Sequence, residues 1–239
     1  MLKVRHLSVL HQAPQELIDI NFQIERGQAI AVIGANGSGK SAMLEAIADP
    51  ESPYEGEVKL NHYSAKGESD KYKTQVGYLP GRFSVPDHLT GFEYLELVGT
   101  FYQLPPKERS EKIIRLSQLL GLQRSIYSLG ERLSKVSQRQ VGLLGSVIAD
   151  PSLVIWDEPT LGFDPNNTAD VGKLLKGALH HGSSALIATT DLEFAESVAD
   201  GYIFLKDGQL VADGTLTQLA HQAQTSKRLA SVYQRLAHG

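Results

Sequence analysis

A glycine-rich stretch between an apolar run and a helical pattern constrains this chain more than any other feature. Residues 34–41 read Gly-Ala-Asn-Gly-Ser-Gly-Lys-Ser and match the pattern G-x-x-x-x-G-K-[ST] of the phosphate-binding loop, or P-loop. The preceding run, Ala29–Ile33, is apolar throughout and predicts a buried strand, and apolar residues at helical spacing follow from Met43. A loop of this composition can turn its backbone N–H groups toward phosphate oxygens at the start of a helix. The sequence therefore predicts a strand–loop–helix unit that binds phosphate groups.

The composition limits the classes of protein that remain. The chain has 239 residues, no cysteine and a formal net charge of -4. We therefore expect one large domain, no disulfide framework and no nucleic-acid partner held by phosphate contacts. The N-terminus lacks the apolar core of a signal peptide, and no uncharged apolar run reaches the roughly 18 residues of a membrane span. Any contact with a membrane is expected to come through a partner.

Strand and helix patterns alternate along most of the chain, which predicts an α/β fold with a mostly parallel sheet. Residues 2–25 alternate in hydrophobicity and predict an N-terminal antiparallel β subdomain. Two helical patterns separated by Pro105-Pro106 lie within residues 89–129 and predict an inserted α-helical subdomain. Residues 61–73 are polar and rich in turn formers, and they predict an exposed loop.

A second apolar run ends in two carboxylates. Residues 153–156 read Leu-Val-Ile-Trp and predict a buried strand, which Asp157 and Glu158 follow. Ligands of parallel sheets bind beyond the carboxyl ends of the strands, where the P-loop, this acid pair and Thr189-Thr190 are all expected. Beside a P-loop, Asp157 is suited to hold Mg²⁺ through water, and Glu158 is suited to accept a proton from an attacking water. The alternative interpretation is a pair of strand-end acids in solvent or in ion pairs.

The P-loop pattern also predicts individual roles. Lys40 is expected to reach the β- and γ-phosphates and to act in catalysis, while the Ser41 hydroxyl holds Mg²⁺. The other loop residues expected to bind the nucleotide are Gly34, Asn36, Gly37, Ser38, Gly39 and Ala42.

Five motifs follow one another along the chain. They are the P-loop, Gly77-Tyr78-Leu79-Pro80 before the helical insert, Leu133-Ser134-Lys135-Val136-Ser137 at a helix start, Asp157-Glu158-Pro159-Thr160, and Gly162-Phe163-Asp164-Pro165. In this order they resemble the motifs of the nucleotide-binding subunits of ABC transporters, and the resemblance covers nearly the whole chain. It implies ATP and Mg²⁺ as cofactors and an ATP hydrolase of the P-loop NTPase fold.

The resemblance implies a single ABC-type ATP-binding domain over residues 1–239. Residues 1–81 and 152–214 are expected to form the RecA-like core together with the antiparallel β subdomain. Residues 82–151 are expected to form the helical insert, including the signature helix, and residues 215–239 a C-terminal helical tail.

The resemblance also implies an assembly. Two ATPase subunits, alike or unlike, pair head to tail, so that ATP lies between the P-loop of one and the signature residue Ser134 of the other. The helical insert docks on a transmembrane permease subunit at the cytoplasmic face of the membrane, and the chain is most similar to ATPases of exporters. Phe83, Val85 and Pro86 are candidate contacts with the permease, and packing within the insert is the equal alternative.

Several positions depart from the family pattern. In the signature helix, Ser137 replaces the usual glutamine or a similar residue, and Arg139-Gln140 reverses the usual Gln-Arg order. Gly81 replaces a glutamine that contacts Mg²⁺ and the attacking water, and His11 replaces the aromatic residue that stacks on adenine. Val136 replaces a signature glycine, where a β-branched residue tolerates positive φ poorly. Thr190 replaces the switch histidine and cannot carry the charge of an imidazole. An alignment shifted by one residue would place Asp191 there, but two like charges ~4 Å apart repel by about 4 kcal/mol at an effective dielectric constant of about 20, which favours Thr190.

We therefore expect an ATP-binding transporter subunit in which ATP and Mg²⁺ bind and hydrolysis is slow. One alternative is a regulatory or structural module that hardly hydrolyses ATP and pairs with an intact paralogue; the retained Glu158 disfavours it. Another is an ABC-type ATPase acting on DNA or the ribosome. The chain lacks the long coiled-coil insertion or the second domain that such proteins carry.

Overall fold

The computed structural model describes residues 1–9 and 17–238, which form ten strands and nine α-helices. The strands are β1 (Leu2–Val9), β2 (Leu17–Ile24), β3 (Ala29–Ile33), β4 (Glu55–Leu60), β5 (Tyr63–Ser64), β6 (Val76–Leu79), β7 (Leu153–Asp157), β8 (Ser184–Ala188), β9 (Gly201–Lys206) and β10 (Gln209–Gly214). The helices are α1 (Lys40–Ala48), α2 (Ser69–Lys73), α3 (Gly91–Phe101), α4 (Pro106–Leu119), α5 (Lys135–Val147), α6 (Pro165–His180), α7 (Leu192–Val198), α8 (Leu216–Gln222) and α9 (Leu229–His238).

A six-stranded sheet of order β10-β9-β3-β8-β7-β6 forms the centre of the molecule, and only β10 runs antiparallel to its neighbour. Strands β3, β7 and β8 are buried at every residue, as expected of parallel strands covered on both faces. On β7, Leu153 and Ile155 pack in one core with α1, whereas Val154 and Trp156 pack in another with α5 and α6. The predicted α/β fold with a mostly parallel sheet is confirmed.

A second sheet, of order β2-β1-β4-β5, is antiparallel and forms the predicted N-terminal β subdomain. The prediction of an exposed loop over residues 61–73 was wrong in part, because this segment contains β5 and α2. Tyr72 on α2 is fully buried, and its hydroxyl donates to the carbonyl oxygen of Ile47 at 2.7 Å. One buried aromatic residue thus anchors a segment whose overall composition is polar.

The inserted helical subdomain contains α3, α4 and α5. Thr90 caps α3 in a capping box with Glu93, and Pro106 occupies the first turn of α4, where its missing N–H costs nothing. Helix α5 leaves the insert and packs on β6 and β7, so it joins the insert to the sheet. At the other edge of the sheet, α8 and α9 pack near β9, where Phe204 and Tyr233 make an edge-to-face contact.

Candidate functional site

The P-loop connects β3 to α1 at the carboxyl edge of the central sheet. Gly37 and Gly39 have φ values of 81° and 98°, in the left-handed region that glycine adopts without a steric cost. Gly39 is the N-cap residue of α1, so the unpaired N–H groups of the helix start where the loop ends. Asn36 and Gly37 are exposed, and Ser41 and Ala42 lie in the first turn of α1. This arrangement suits an anion at the helix N-terminus.

Lys40 is a buried cation within this loop. Its side chain is 6% exposed, and Nζ donates hydrogen bonds to the carbonyl oxygens of Gly34 at 2.8 Å and Ala35 at 3.0 Å. Burial lowers the pKa of Lys40, while the negative charges of Glu158 and Asp157 act in the opposite direction. The cation therefore lies within electrostatic reach of both members of the acid pair.

Two buried oxygen atoms near the loop have no hydrogen-bond partner in the protein. They are Oγ of Ser38 and Oδ1 of Asp157, which is 3% exposed. Buried polar atoms almost always have a partner, and a phosphate group and a hydrated cation would supply partners for these two. No three His, Cys, Asp or Glu side chains cluster as a metal site within residues 1–9 and 17–238. A cation here would thus depend on Ser41, Asp157 and phosphate oxygens.

Glu158 follows β7 in a left-handed conformation with φ of 50°, which costs a residue with a side chain roughly 1–3 kcal/mol. Its N–H donates to the carbonyl oxygen of Ala188 at 2.8 Å, continuing the pairing of β7 with β8. Its carboxylate oxygen Oε2 accepts from the Thr190 N–H at 3.1 Å and from the hydroxyls of Thr189 and Thr190 at 3.3 Å. The strained turn thus directs the carboxylate onto the end of β8.

Thr190 and Asp191 have different environments in this structure. Thr190 is exposed and contacts Glu158, whereas Asp191 Oδ1 accepts from the Phe194 N–H at 3.0 Å as the N-cap of α7. The carboxylate of Asp191 therefore caps α7. Thr190, and not an acid, contacts Glu158, so the repulsion between like charges that a shifted alignment implied does not arise.

Arg139 is a residue of this site to which the sequence assigned no role, although Arg139-Gln140 departs from the family order. It is 7% exposed on α5, and its guanidinium donates to three backbone carbonyl oxygens. The acceptors are Glu158 at 2.8 Å from Nε, Gly81 at 3.1 Å from Nη1, and Asp157 from Nη2. A charged residue just before the apolar part of α5 was a signal in the sequence that could have pointed to Arg139. Its partners could not be found in this way, because they lie 18 to 58 residues away in the chain.

The signature segment lies at the start of α5. Ser134 is the N-cap, and its Oγ accepts from the Ser137 N–H at 3.0 Å and donates to Ser137 Oγ. Val136 is in the first turn of the helix and does not have positive φ, so the expected backbone strain was wrong. Val136 therefore differs from the glycine of the family only in the size of its side chain. His11 lies outside the described residues.

The structure thus brings Lys40, Asp157, Glu158 and Thr190 together at the carboxyl ends of β3, β7 and β8. Ser134, by contrast, bonds within its own helix turn. The first four can act on one bound triphosphate, whereas the exposed Ser134 is free to meet a second molecule.

A cleft of about 1190 Å³ opens from this edge toward the helical insert. Asp157, Gly81 and Ser41 line the cleft, and so do Leu97 and Phe101 of α3, which are 60% and 64% exposed. Val85 is 1% exposed and belongs to the core, and Phe83 packs edge to face on Tyr94 at 5.5 Å. These two residues pack within the insert, whereas Pro86 is exposed. A contact of this segment with a permease stays a prediction.

A family model described as ABC transporter matches residues 17–161, more than half of the chain. The chain belongs to the ABC transporter family. It is an ATP-binding subunit of this family and an ATP hydrolase, as the motifs predicted. No helix in the part of the chain that the structure describes is long and apolar enough to cross a membrane.

Relatives of this ABC ATPase cover nearly its full length. It is 29% identical to the ABC-type transporter ATP-binding protein EcsA of Bacillus subtilis, over 93% of the chain and 90% of EcsA. It is 27% identical to the SkfA peptide export ATP-binding protein SkfE of the same organism, over 96% and 95%. It is 28% identical to the L-cystine import ATP-binding protein TcyC, also from B. subtilis, over 92% of each.

Solved structures agree with the fold. The structure of an ATP-binding subunit of an ABC transporter superposes with a TM-score of 0.91 at 29% identity, covering 98% of both chains. An ATP-binding cassette solved as a dimer in a post-hydrolysis state with ADP and Pi gives a TM-score of 0.82 at 23% identity, over 90% of this chain and 98% of that one.

Proposed function

We propose that this ABC ATPase binds Mg²⁺ and ATP at the edge of β3, β7 and β8 and hydrolyses ATP slowly. The observation that carries the proposal is the buried, unpartnered Asp157 Oδ1 beside a P-loop with a buried Lys40. Lys40 would leave its two carbonyl partners for phosphate oxygens, and Ser41 and Asp157 would hold Mg²⁺, which neutralises phosphate charge and orients the nucleotide. Gly34, Asn36, Gly37, Ser38, Gly39 and Ala42 would line the phosphates.

Glu158 is the proposed general base, and Thr190 orients it. The carboxylate accepts hydrogen bonds from the N–H and hydroxyl of Thr190 and from the Thr189 hydroxyl, none of which carries a charge. A carboxylate in this position can take a proton from an attacking water. Thr190 lacks the positive charge that would stabilise a transferring phosphoryl group, and loss of one such donor typically lowers kcat about 100-fold. Slow turnover follows.

A head-to-tail dimer is proposed for the bound state, formed with a copy or a paralogue. Ser134 is exposed at the N-terminus of α5, where its hydroxyl and the helix start could contact the γ-phosphate held by the other subunit. The post-hydrolysis cassette noted above is a dimer in its own structure, which supports this arrangement. His11 is the proposed stacking contact for adenine.

The cleft beside α3 is the proposed docking site for an amphipathic helix on the cytoplasmic side of a transmembrane permease. Leu97 and Phe101 offer an exposed apolar wall. Arg82 at the rim is exposed and makes no ion pair with any residue in the described ranges, so an acidic side chain of the partner helix would complement it. This contact would hold the chain at the cytoplasmic face of the membrane.

The transporter is proposed to be an exporter, as the peptide-export relative supports. The L-cystine import relative has similar identity, so the direction needs its own assay. An exporter would load inside-out vesicles that contain the assembled transporter when ATP is added, and an importer would leave them empty.

The proposal is tested by nucleotide binding and turnover on the same purified chain. ATP affinity is measured with Mg²⁺ and with EDTA, and kcat is measured for the wild type, Glu158→Gln and, as a control, Glu193→Gln on the exposed surface of α7. We expect Mg²⁺-dependent binding in all three and a kcat lowered about 100-fold or more in Glu158→Gln alone. Unchanged turnover in Glu158→Gln would remove Glu158 as the base.

A regulatory module with an intact paralogue is the second candidate, favoured by the uncharged partners of Glu158. It predicts that ATP binds and drives dimer formation, measured by light scattering, while the isolated chain shows no turnover until a paralogue is added.

A further inference from the structure

We propose that Arg139 is a positioning residue for ATP hydrolysis, whose guanidinium fixes the backbone that presents Asp157 and Glu158. The inference rests on the proposed role of Glu158 as the base. Arg139 contacts three carbonyl oxygens at the carboxyl ends of the neighbouring strands β6 and β7. It therefore acts through these segments rather than on the nucleotide.

The conformation of Glu158 needs external support. Its φ of 50° is a left-handed value that a residue with a side chain keeps only when its surroundings fix it. Its N–H is bound by Ala188, its carboxylate by Thr190, and its carbonyl oxygen by Arg139. Arg139 supplies the anchor on the carbonyl side. Without it, the peptide after Glu158 loses this hydrogen bond, and the left-handed turn that directs the carboxylate is less constrained.

The shape of the guanidinium suits this task. Its planar fork presents several N–H donors in fixed directions, whereas a lysine ammonium is a compact point charge. One rigid group thus sets the spacing between the Gly81 carbonyl after β6 and the Asp157 and Glu158 carbonyls after β7. Burial lowers the pKa of Arg139, and both acids oppose that effect; the side chain still keeps its charge.

Helix α5 connects the guanidinium of Arg139 to the signature segment at the start of the helix. Its N-cap is Ser134, and Arg139 lies within the next two turns. The residue proposed to face the partner's nucleotide and the residue that anchors the acid pair therefore move as parts of one helix.

The test measures kcat and the Kd of Mg²⁺-ATP on the full chain for Arg139→Lys and Arg139→Gln. The control is Lys112→Met, which removes another buried cation of the helical insert, paired with Asp150 away from the acid pair. We expect both Arg139 variants to lower kcat roughly 10- to 100-fold, because a shift of a catalytic group by about 1 Å has effects of this size. Kd should stay within about threefold, because no contact to ATP is lost and the pairing of β7 with β8 still holds the backbone of Asp157. Lys112→Met should leave kcat unchanged.

A double-mutant cycle separates positioning from general stability. In a Glu158→Gln background, Arg139→Lys should cause no further loss of single-turnover rate, because the group that it positions is already gone. An equal loss in both backgrounds, an unchanged kcat in Arg139→Lys, or failure of both Arg139 variants to fold would overturn the inference. If Glu158→Gln itself retains full turnover, the proposed base fails instead, and the two failures are distinguishable.

Discussion

At the scale of single residues, the chemistry of Glu158 depends on what its carboxylate contacts. Thr190 is exposed at the end of β8 and donates from both its N–H and its hydroxyl. Because its side chain is in solvent, a larger residue can replace it without disturbing the core. The position is therefore open to substitution by an imidazole, which can carry a positive charge near neutral pH.

Thr190→His is expected to raise kcat about 10-fold or more, because a positioned cationic donor stabilises the transferring phosphoryl group. Steady-state ATP turnover is the measurement. Thr190→Val, which replaces the hydroxyl with a methyl group of similar size, is the matched control and should not raise kcat. Equal rates for all three proteins would show that this position does not limit hydrolysis.

Gly81 gives a second prediction at this scale. A Cβ at this position would lie 2.7 Å from Oδ2 of Asp157 and 3.2 Å from its Cγ. Gly81→Ala should therefore turn the carboxylate and weaken the affinity for Mg²⁺-ATP roughly 10-fold, as losses of support around metal ligands do. ATP titrations with and without Mg²⁺ measure this. Gly67→Ala, where a Cβ would meet Ser64 at an ordinary 3.6 Å, is the control. Equal Mg²⁺-dependent affinities would contradict the prediction.

At the scale of elements, helix α5 packs tightly around Gly142, which faces Leu79 of β6. A Cβ on Gly142 would lie 2.7 Å from Leu79 Cδ1 and 2.8 Å from Phe83 Cδ1, whereas Gly177 on α6 has no atom within 4 Å of that position. Gly142→Ala should lower the free energy of unfolding by about 1–3 kcal/mol through overpacking. The same change at Gly177 should raise it by about 0.5–1 kcal/mol, because alanine favours helix. Urea denaturation measures both, and stabilisation by both would show that α5 packs more loosely.

At the scale of the whole molecule, the cleft relates the nucleotide site to the proposed permease. Phe101→Glu should weaken binding to the permease by about 30-fold or more, the effect typical of a buried aromatic anchor, and leave ATP turnover of the isolated chain unchanged. Co-purification with the permease and an ATPase assay measure the two effects. Ile114→Glu on α4 is the control, since Ile114 is 44% exposed and lies outside the cleft. Equal permease binding by both variants would place the docking site elsewhere.

Local sequence patterns were sufficient to predict the strand–loop–helix unit, the buried strand before Asp157-Glu158 and the two helices of the insert. Each is encoded over a few neighbouring residues, as a glycine pattern, an apolar run or a helical period, and such local signals survive whatever the rest of the chain does. The order of these motifs along the chain was enough to indicate the family.

Contacts between distant residues, in contrast, are visible only in the folded chain. The three carbonyl partners of Arg139, the close approach of Gly81 to Asp157 and the burial of Tyr72 all join residues far apart in the chain. The helical conformation of Val136 likewise depends on where α5 begins. Such contacts arise from the path of the backbone through strand order and helix packing, for which a single sequence carries no local pattern.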